Sequence, residues 1–261
     1  EENNKARTVS VICITSAIKP FVWRSLSRAD DLAIEHINPD DEDVILVLDG
    51  DDWFAKKNVL STLNNVYINN DCLMTYGSYI EFGVFTGSSF NFAMKINKKL
   101  KYLGETDCEF IGFDSFQGFG NINKDDKHPF FNDDIFKINE EKVIKNIKKC
   151  SKGSRMRIVK GFFEDTIKNK TTMDFNIEKA RVILIDCDLK EPAQYALNFI
   201  KPSLQEGTII LFDEYICFKG SKVKGEYSAF NDFKKTNPEI SFRKAFDYGY
   251  SGRAFITCSL N

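Results

Sequence analysis

Acidic residues close three of the apolar runs in this chain, and each run reads as a buried β-strand. Phe110 to Phe113 ends in Asp114, Arg181 to Ile185 ends in Asp186-Cys187-Asp188, and Thr208 to Phe212 ends in Asp213-Glu214-Tyr215. A further strand, Arg157 to Lys160, leads into Gly161-Phe162-Phe163. Upstream, Tyr79 to Phe85 passes through Glu81 and Gly83 into Thr86-Gly87-Ser88, a glycine-spaced turn ahead of a helical pattern. Glycine at 83 and 87 permits positive φ and close backbone approach, and Ser88 suits a helix start. The exposed backbone N–H groups of such a turn suit a nucleotide-like cofactor. Asp114, at the next strand end, suits the two hydroxyls of a ribose. The spacing GxxxG is not the dinucleotide pattern, so a pyrophosphate is not specified. Asp186 and Asp213 fall at strand ends that a parallel sheet brings together. Asp188 serves equally as a third acid of that site or as the cap of a helix opening at Pro192.

These residues need a scaffold, and the pattern from Tyr79 onward supplies one. Strands alternate with helices expected over Ser88 to Leu100, Asn139 to Lys149, Pro192 to Ile200 and Tyr227 to Thr236, the signature of a parallel sheet with helices on both faces. Ile240 to Phe246 and Ala254 to Cys258 flank Asp247 to Gly252 and read as a closing antiparallel hairpin. The polar and aromatic stretch Gln117 to Asp134 interrupts the alternation, and a loop of that length is usually a lid or a binding loop. Its aromatics Phe116, Phe119, Phe130 and Phe131 are expected to pack it onto the domain, at the mouth of the cofactor site.

The composition narrows the function classes. With 261 residues and a formal net charge of −2, nucleic acid is not expected as a partner. The lysines between Lys142 and Lys152 alternate with Val143, Ile144 and Ile147 and read as the wet face of an amphipathic helix. No apolar run reaches the length of a membrane span, so a soluble, cytoplasmic protein with no membrane partner is expected. The seven cysteines form no CxxC pair, and reduced buried thiols are the simplest account. Only His36 and His128 are present, which excludes a histidine-rich metal site. A homo-oligomer and a monomer both remain open.

The first 78 residues read as a separate segment. Thr8 to Ile14 and Val44 to Leu48 look like strands, Ala29 to Ile37 and Asn58 to Tyr67 like helices, and Val44 to Leu48 runs into Asp49-Gly50-Asp51-Asp52-Trp53.

The ordered strand-end motifs from Tyr79 to Cys258 resemble those of the macrocin-type sugar O-methyltransferases. The motifs are Glu81 to Ser89, Gly112 to Phe119, Val159 to Thr166, Asp186 to Leu189 with Glu191-Pro192, and Phe212 to Tyr215. The resemblance implies an α/β fold of the Rossmann-like class I methyltransferase type, seven strands with the last antiparallel, over residues 79–261. It implies S-adenosylmethionine as cofactor and a small-molecule sugar or glycoside as acceptor. The methionine part is then expected on Glu81, Gly83, Gly87 and Ser88, the ribose on Asp114 with Ser115 and Phe116 beside it, and the adenine near Gly161, Phe162 and Phe163. It also implies Mg²⁺ on Asp186, Asp213 and Glu214, with Asp186 as the catalytic base. The chain departs from the family at Lys190, where an aromatic residue is usual, and at Glu214, where a second aspartate is usual. The stretch from Thr8 to Tyr79, through Asp43 to Trp53, Asn58 to Leu60 and Thr75 to Tyr79, resembles the region around the DxD motif of GT-A glycosyltransferases, which implies a truncated α/β segment over residues 1–78. Two alternatives follow: a nucleotide-sugar glycosyltransferase fragment fused to a methyltransferase, and a catalytically silent S-adenosylmethionine-binding module.

Overall fold

The computed structural model describes residues 46–47, 53–54, 76–101, 108–120, 122, 126–128, 131, 136–151, 153–249 and 251–260. The chain divides into two compact units, Glu1–Val66 and Tyr67–Asn261. In the first, strand β1 (Leu46–Val47) pairs antiparallel with β2 (Trp53–Phe54), Leu46 opposite Phe54 and Val47 opposite Trp53. The other elements expected before residue 76, and the aspartates Asp49, Asp51 and Asp52, lie outside the described residues.

The second unit is built on seven strands: β3 (Ser78–Phe82), β4 (Glu109–Asp114), β5 (Arg155–Lys160), β6 (Ala180–Ile185), β7 (Ile209–Phe212), β8 (Ile240–Tyr248) and β9 (Gly252–Leu260). Among the described residues its α-helices are α1 (Ser88–Lys101), α2 (Glu140–Cys150), α3 (Phe163–Thr166), α4 (Lys190–Ile200), α5 (Cys217–Gly220) and α6 (Gly225–Thr236). The sheet order is β5-β4-β3-β6-β7-β9-β8. Strands β3 to β7 run parallel, and β9 lies antiparallel between β7 and β8. The chain therefore leaves the centre of the sheet in both directions from β3. The reversal falls between β3 and β6, where an open α/β sheet offers its ligand crevice.

The central strands β3, β4, β6 and β7 are buried along almost their whole length, as in a parallel sheet covered on both faces. Phenylalanine does much of the filling: Phe82 stacks on Phe113 with ring centres 5.1 Å apart, and Phe199 meets both rings edge-on. Along α2, Val143 and Ile147 are buried while the lysines at 142, 145, 148 and 149 are exposed, the amphipathic arrangement the spacing predicts. Asn139 caps this helix by accepting the Lys142 N–H at 2.9 Å.

Two boundaries differ from expectation for identifiable reasons. Strand β3 stops at Phe82 and not at Phe85, because Gly83 turns away with φ 95° and its N–H bonds the Phe113 carbonyl at 2.9 Å. Helix α4 starts at Lys190, which puts Pro192 in the third helical position. That position has no intrahelical N–H bond to lose. The long connection after β4 is closed at its base by a bridge pairing Gln117 with Lys137 and by the Ile138 N–H on the Phe116 carbonyl at 3.3 Å.

Candidate active site

Asp114 joins three of the segments that the sequence singles out. Its carboxylate accepts the Phe85 N–H at 2.7 Å and the Phe116 N–H at 2.6 Å, and its carbonyl accepts the Gly161 N–H at 2.9 Å. The glycine turn, the turn after β4 and the turn after β5 thus converge on one strand end. Burial pushes the Asp114 carboxyl above its ordinary range, against the pull of the backbone N–H groups of Phe116, Phe85, Val84 and Ser115. Phe85 and Phe116 hold φ values of 45° and 57°, left-handed backbone that costs free energy in a non-glycine residue. Both are the residues whose N–H groups reach Asp114. Asp114 as a residue is of intermediate exposure, and the Phe85 and Phe116 N–H groups take two of the roughly four acceptor positions of its carboxylate.

The other residues expected on the cofactor side divide between framework and surface. Glu81 is fully buried and accepts from the hydroxyls of Ser89, at 2.6 Å, and Tyr79. Ser88 pairs with Thr86 at 2.8 Å. The Ser115 hydroxyl accepts the Gln117 N–H and donates to the Gly118 carbonyl, which shapes the turn after β4. Phe162 lays its ring over Gly120, while Phe163 meets Phe82 edge-on at 5.7 Å and belongs to the core packing. Gly87 leaves room for Ile147 of α2, since a Cβ would come within 2.8 Å of that side chain.

Gly83 is the junction with the other half of the site. A Cβ there would fall 1.8 Å from the backbone oxygen of Asp186, whose own N–H bonds the Phe82 carbonyl at 2.9 Å. Asp186 therefore abuts the glycine turn across the switch point. Next to it, Cys187 and Asp188 donate their N–H groups to Oε1 of Glu226, at 3.2 and 3.3 Å. The Glu214 N–H bonds Oε2 of the same carboxyl at 3.1 Å. Glu226 is completely buried, and one side chain from the start of α6 thereby fixes the turns after β6 and β7. Burial raises its carboxyl well above the ordinary range, and the negative charges of Asp188, Glu214 and Asp213 add to that. The Tyr248 phenol is raised first by burial and then by Asp213, Glu226 and Asp186, so this edge of the sheet is strongly acidic.

Magnesium on Asp186, Asp213 and Glu214 is not supported by this arrangement. Among the described residues no group of three or more His, Cys, Asp or Glu side chains is placed to hold a metal ion. Glu214 directs its carboxylate to the Ser251 hydroxyl at 2.9 Å, and the same hydroxyl bonds the Asp213 carbonyl at 2.9 Å. The third acid is thus committed to the β8–β9 hairpin connection.

Sequence reasoning missed Glu226, Asp126 and Ser251. Asp126 is buried within the long loop and accepts the Lys190 N–H at 2.8 Å and the Gly225 N–H at 3.4 Å. The His128 ring lies tilted against Phe131 at 4.5 Å and meets Phe218 edge-on at 5.1 Å, so the described aromatics of the connection, Phe119 and Phe131, pack with Leu189 and Phe218; Phe130 lies outside the described residues. Nothing local distinguishes Asp126 or Glu226 from an ordinary solvated loop or helix-start acid.

A seven-stranded sheet in this order, with the last strand antiparallel, is the fold of the class I S-adenosylmethionine-dependent methyltransferases. Residues 45–241 match the family model described as macrocin-O-methyltransferase (TylF), and the chain belongs to that family of O-methyltransferases. The match begins upstream of the segment boundary expected at residue 78. Among solved structures, the O-methyltransferase NovP is similar with a TM-score of 0.60 at 20% identity, covering 77% of this chain and 78% of that one. The calicheamicin methyltransferase CalS11 gives 0.56 at 19%, covering 77% and 79%. At these identities both are similar in fold. No curated protein matches the chain by sequence. Among the described residues no helix is long and apolar enough to cross a membrane.

Proposed function

We infer that this enzyme methylates a hydroxyl of a sugar or of a glycosylated small molecule, with Asp186 taking up the proton. The observation that carries this reading is the contact between Asp186 and Gly83, which sets the strand-end acid beside the cofactor turn. The structural neighbour CalS11 is described as a TDP-rhamnose 3'-O-methyltransferase, which makes nucleotide-linked and free glycosides the first acceptors to try.

When bound, S-adenosylmethionine supplies a methyl carbon on a positively charged sulfur. Asp114 and the turn from Gly83 to Ser88 hold the cofactor by hydrogen bonds and close backbone approach. The acids after β6 and β7 face the acceptor. Negative charge beside the sulfonium stabilises the ground state more than the transition state, because the positive charge is lost as the methyl moves. Asp186 therefore contributes to rate through the proton, not through charge on the sulfur. Positioning of the acceptor hydroxyl contributes the rest. The side-chain arrangement does not favour a magnesium ligand set, and no step is routed through the metal.

The test is Asp186→Asn, assayed by transfer of labelled methyl to a panel of glycosides and TDP-sugars. Loss of a general base lowers turnover about 100-fold or more, while S-adenosylmethionine affinity, measured by calorimetry, stays near wild type. Wild-type turnover in the variant would sink the assignment. Tight cofactor binding with no transfer to any acceptor would point instead to a silent binding module.

A further inference from the structure

The geometry points to Asp126 as a positioning residue that sets the acid-bearing turn Asp186 to Lys190 against the start of α6. The role rests on the reading of Asp186 as proton acceptor. Asp126 is 4% exposed and supplies one carboxylate oxygen to each of two helix starts: Oδ2 to the Lys190 N–H of α4 and Oδ1 to the Gly225 N–H of α6. The first N–H groups of a helix have no partner within it, so a buried carboxylate that serves two of them fixes the distance between the helices. The favourable end of each helix dipole faces the same negative charge.

Three further observations make the helix pair a clamp around the turn. Glu226, next to Gly225, binds the N–H groups of Cys187 and Asp188. Gly225 adopts φ 59°, and a Cβ there would lie 2.8 Å from the Phe218 ring and 3.3 Å from the Asp188 carbonyl oxygen. Lys190 reaches Asp232 of α6 at 2.8 Å. Within the clamp, Asp188 is held at φ 61° and the Leu189 N–H folds back onto the Cys187 carbonyl at 2.6 Å. A turn in so constrained a conformation needs its surroundings to define it. Asp126 is the contact through which a remote loop takes part in doing so.

The experiment is amide hydrogen exchange on the full chain, comparing wild type with Asp126→Ala and Asp126→Asn. Asp126→Ala is expected to speed exchange at the Lys190 and Gly225 amides about tenfold or more, since both lose a buried acceptor. The amides of Ile80 to Phe82 in β3 keep their wild-type rates. Asp126→Asn retains a single acceptor oxygen, so only one of the two amides is expected to speed up. Cofactor affinity stays within about twofold, because no cofactor-side residue is touched. On any acceptor that the wild type methylates, kcat falls and KM for S-adenosylmethionine does not change. Wild-type exchange at both amides overturns the role, and so does wild-type kcat in Asp126→Ala. If Asp126→Ala fails to fold, wild-type exchange at both amides in Asp126→Asn overturns it alone. Asp186→Asn turning over normally would sink the proton-acceptor reading while leaving the exchange result intact, so the two failures are separable.

Discussion

The two edges of the site hold their acids by opposite devices. On the cofactor edge, Asp114 is itself the hub: backbone N–H groups of two left-handed residues come to it. On the acceptor edge, the backbone of the acid-bearing turns goes out to Glu226 and Asp126, acids that belong to other elements. A residue that must present its oxygens to a ribose gains from accepting strong, fixed hydrogen bonds of its own. The acids after β6 and β7 are instead oriented through their main chain, by N–H groups that reach Glu226. On the proposed function, the first edge carries recognition of the cofactor and the second the chemistry at the acceptor.

The largest effect is expected where the edges meet. Gly83→Ala puts a methyl group against the Asp186 carbonyl at a position with φ 95°, and neither strand end can withdraw without breaking sheet pairing. The expected loss is about 3 kcal/mol or more in stability, with cofactor binding lost at the same time. Denaturant melting and calorimetric titration would measure both. Normal cofactor affinity in a stable Gly83→Ala protein would mean that the edges are not mechanically joined there.

A crossed pair of substitutions sharpens the contrast. Asp114→Asn sets an amide N–H₂ against one of two backbone donors, and about tenfold weaker S-adenosylmethionine binding is expected. Glu226→Ala strands the N–H groups of Cys187, Asp188 and Glu214. It is expected to cost about 2 to 3 kcal/mol in stability and to reduce turnover, with cofactor affinity little changed. If both variants lost cofactor affinity equally, the division of labour between the edges would be wrong.

The same contrast explains what could be read from the chain. Strands β3, β4, β6 and β7 were legible as apolar runs, because burial on both faces removes the polar alternation. Asp114, Asp186 and Asp213 were legible because they end such runs. The β8–β9 hairpin followed from the turn residues at 247–252. Glu226 was not legible, since its partners are 38 and 39 residues away after β6 and 12 away after β7. Asp126 reaches across 64 and 99 residues, and no local pattern marks a side chain whose partners are main-chain groups elsewhere. The start of α4 was placed late for the same reason: Lys190 can open the helix because a distant carboxylate satisfies its N–H.

The smallest expected effect serves as the control, on the β8–β9 hairpin. Asp247 is bonded by Arg253 and Lys244. Burial alone would raise its carboxyl, but the hydrogen bonds from Arg253 and Lys244 outweigh it and hold the group below the ordinary range. A carboxyl lowered by folding stabilises the native state above its unfolded value of about 3.9. That contribution disappears as pH falls through the lowered native value. The side chain is 46% exposed, and solvent screening limits the pair to roughly 0.5 kcal/mol. Wild type and Asp247→Asn should therefore differ slightly in denaturant midpoint near neutrality and converge in acid, with cofactor binding and turnover the same in both. A gap that persisted in acid would assign the effect to packing. A change in turnover would mean that the hairpin, through Ser251 and its bond to Glu214, belongs to the acceptor edge and is no independent control.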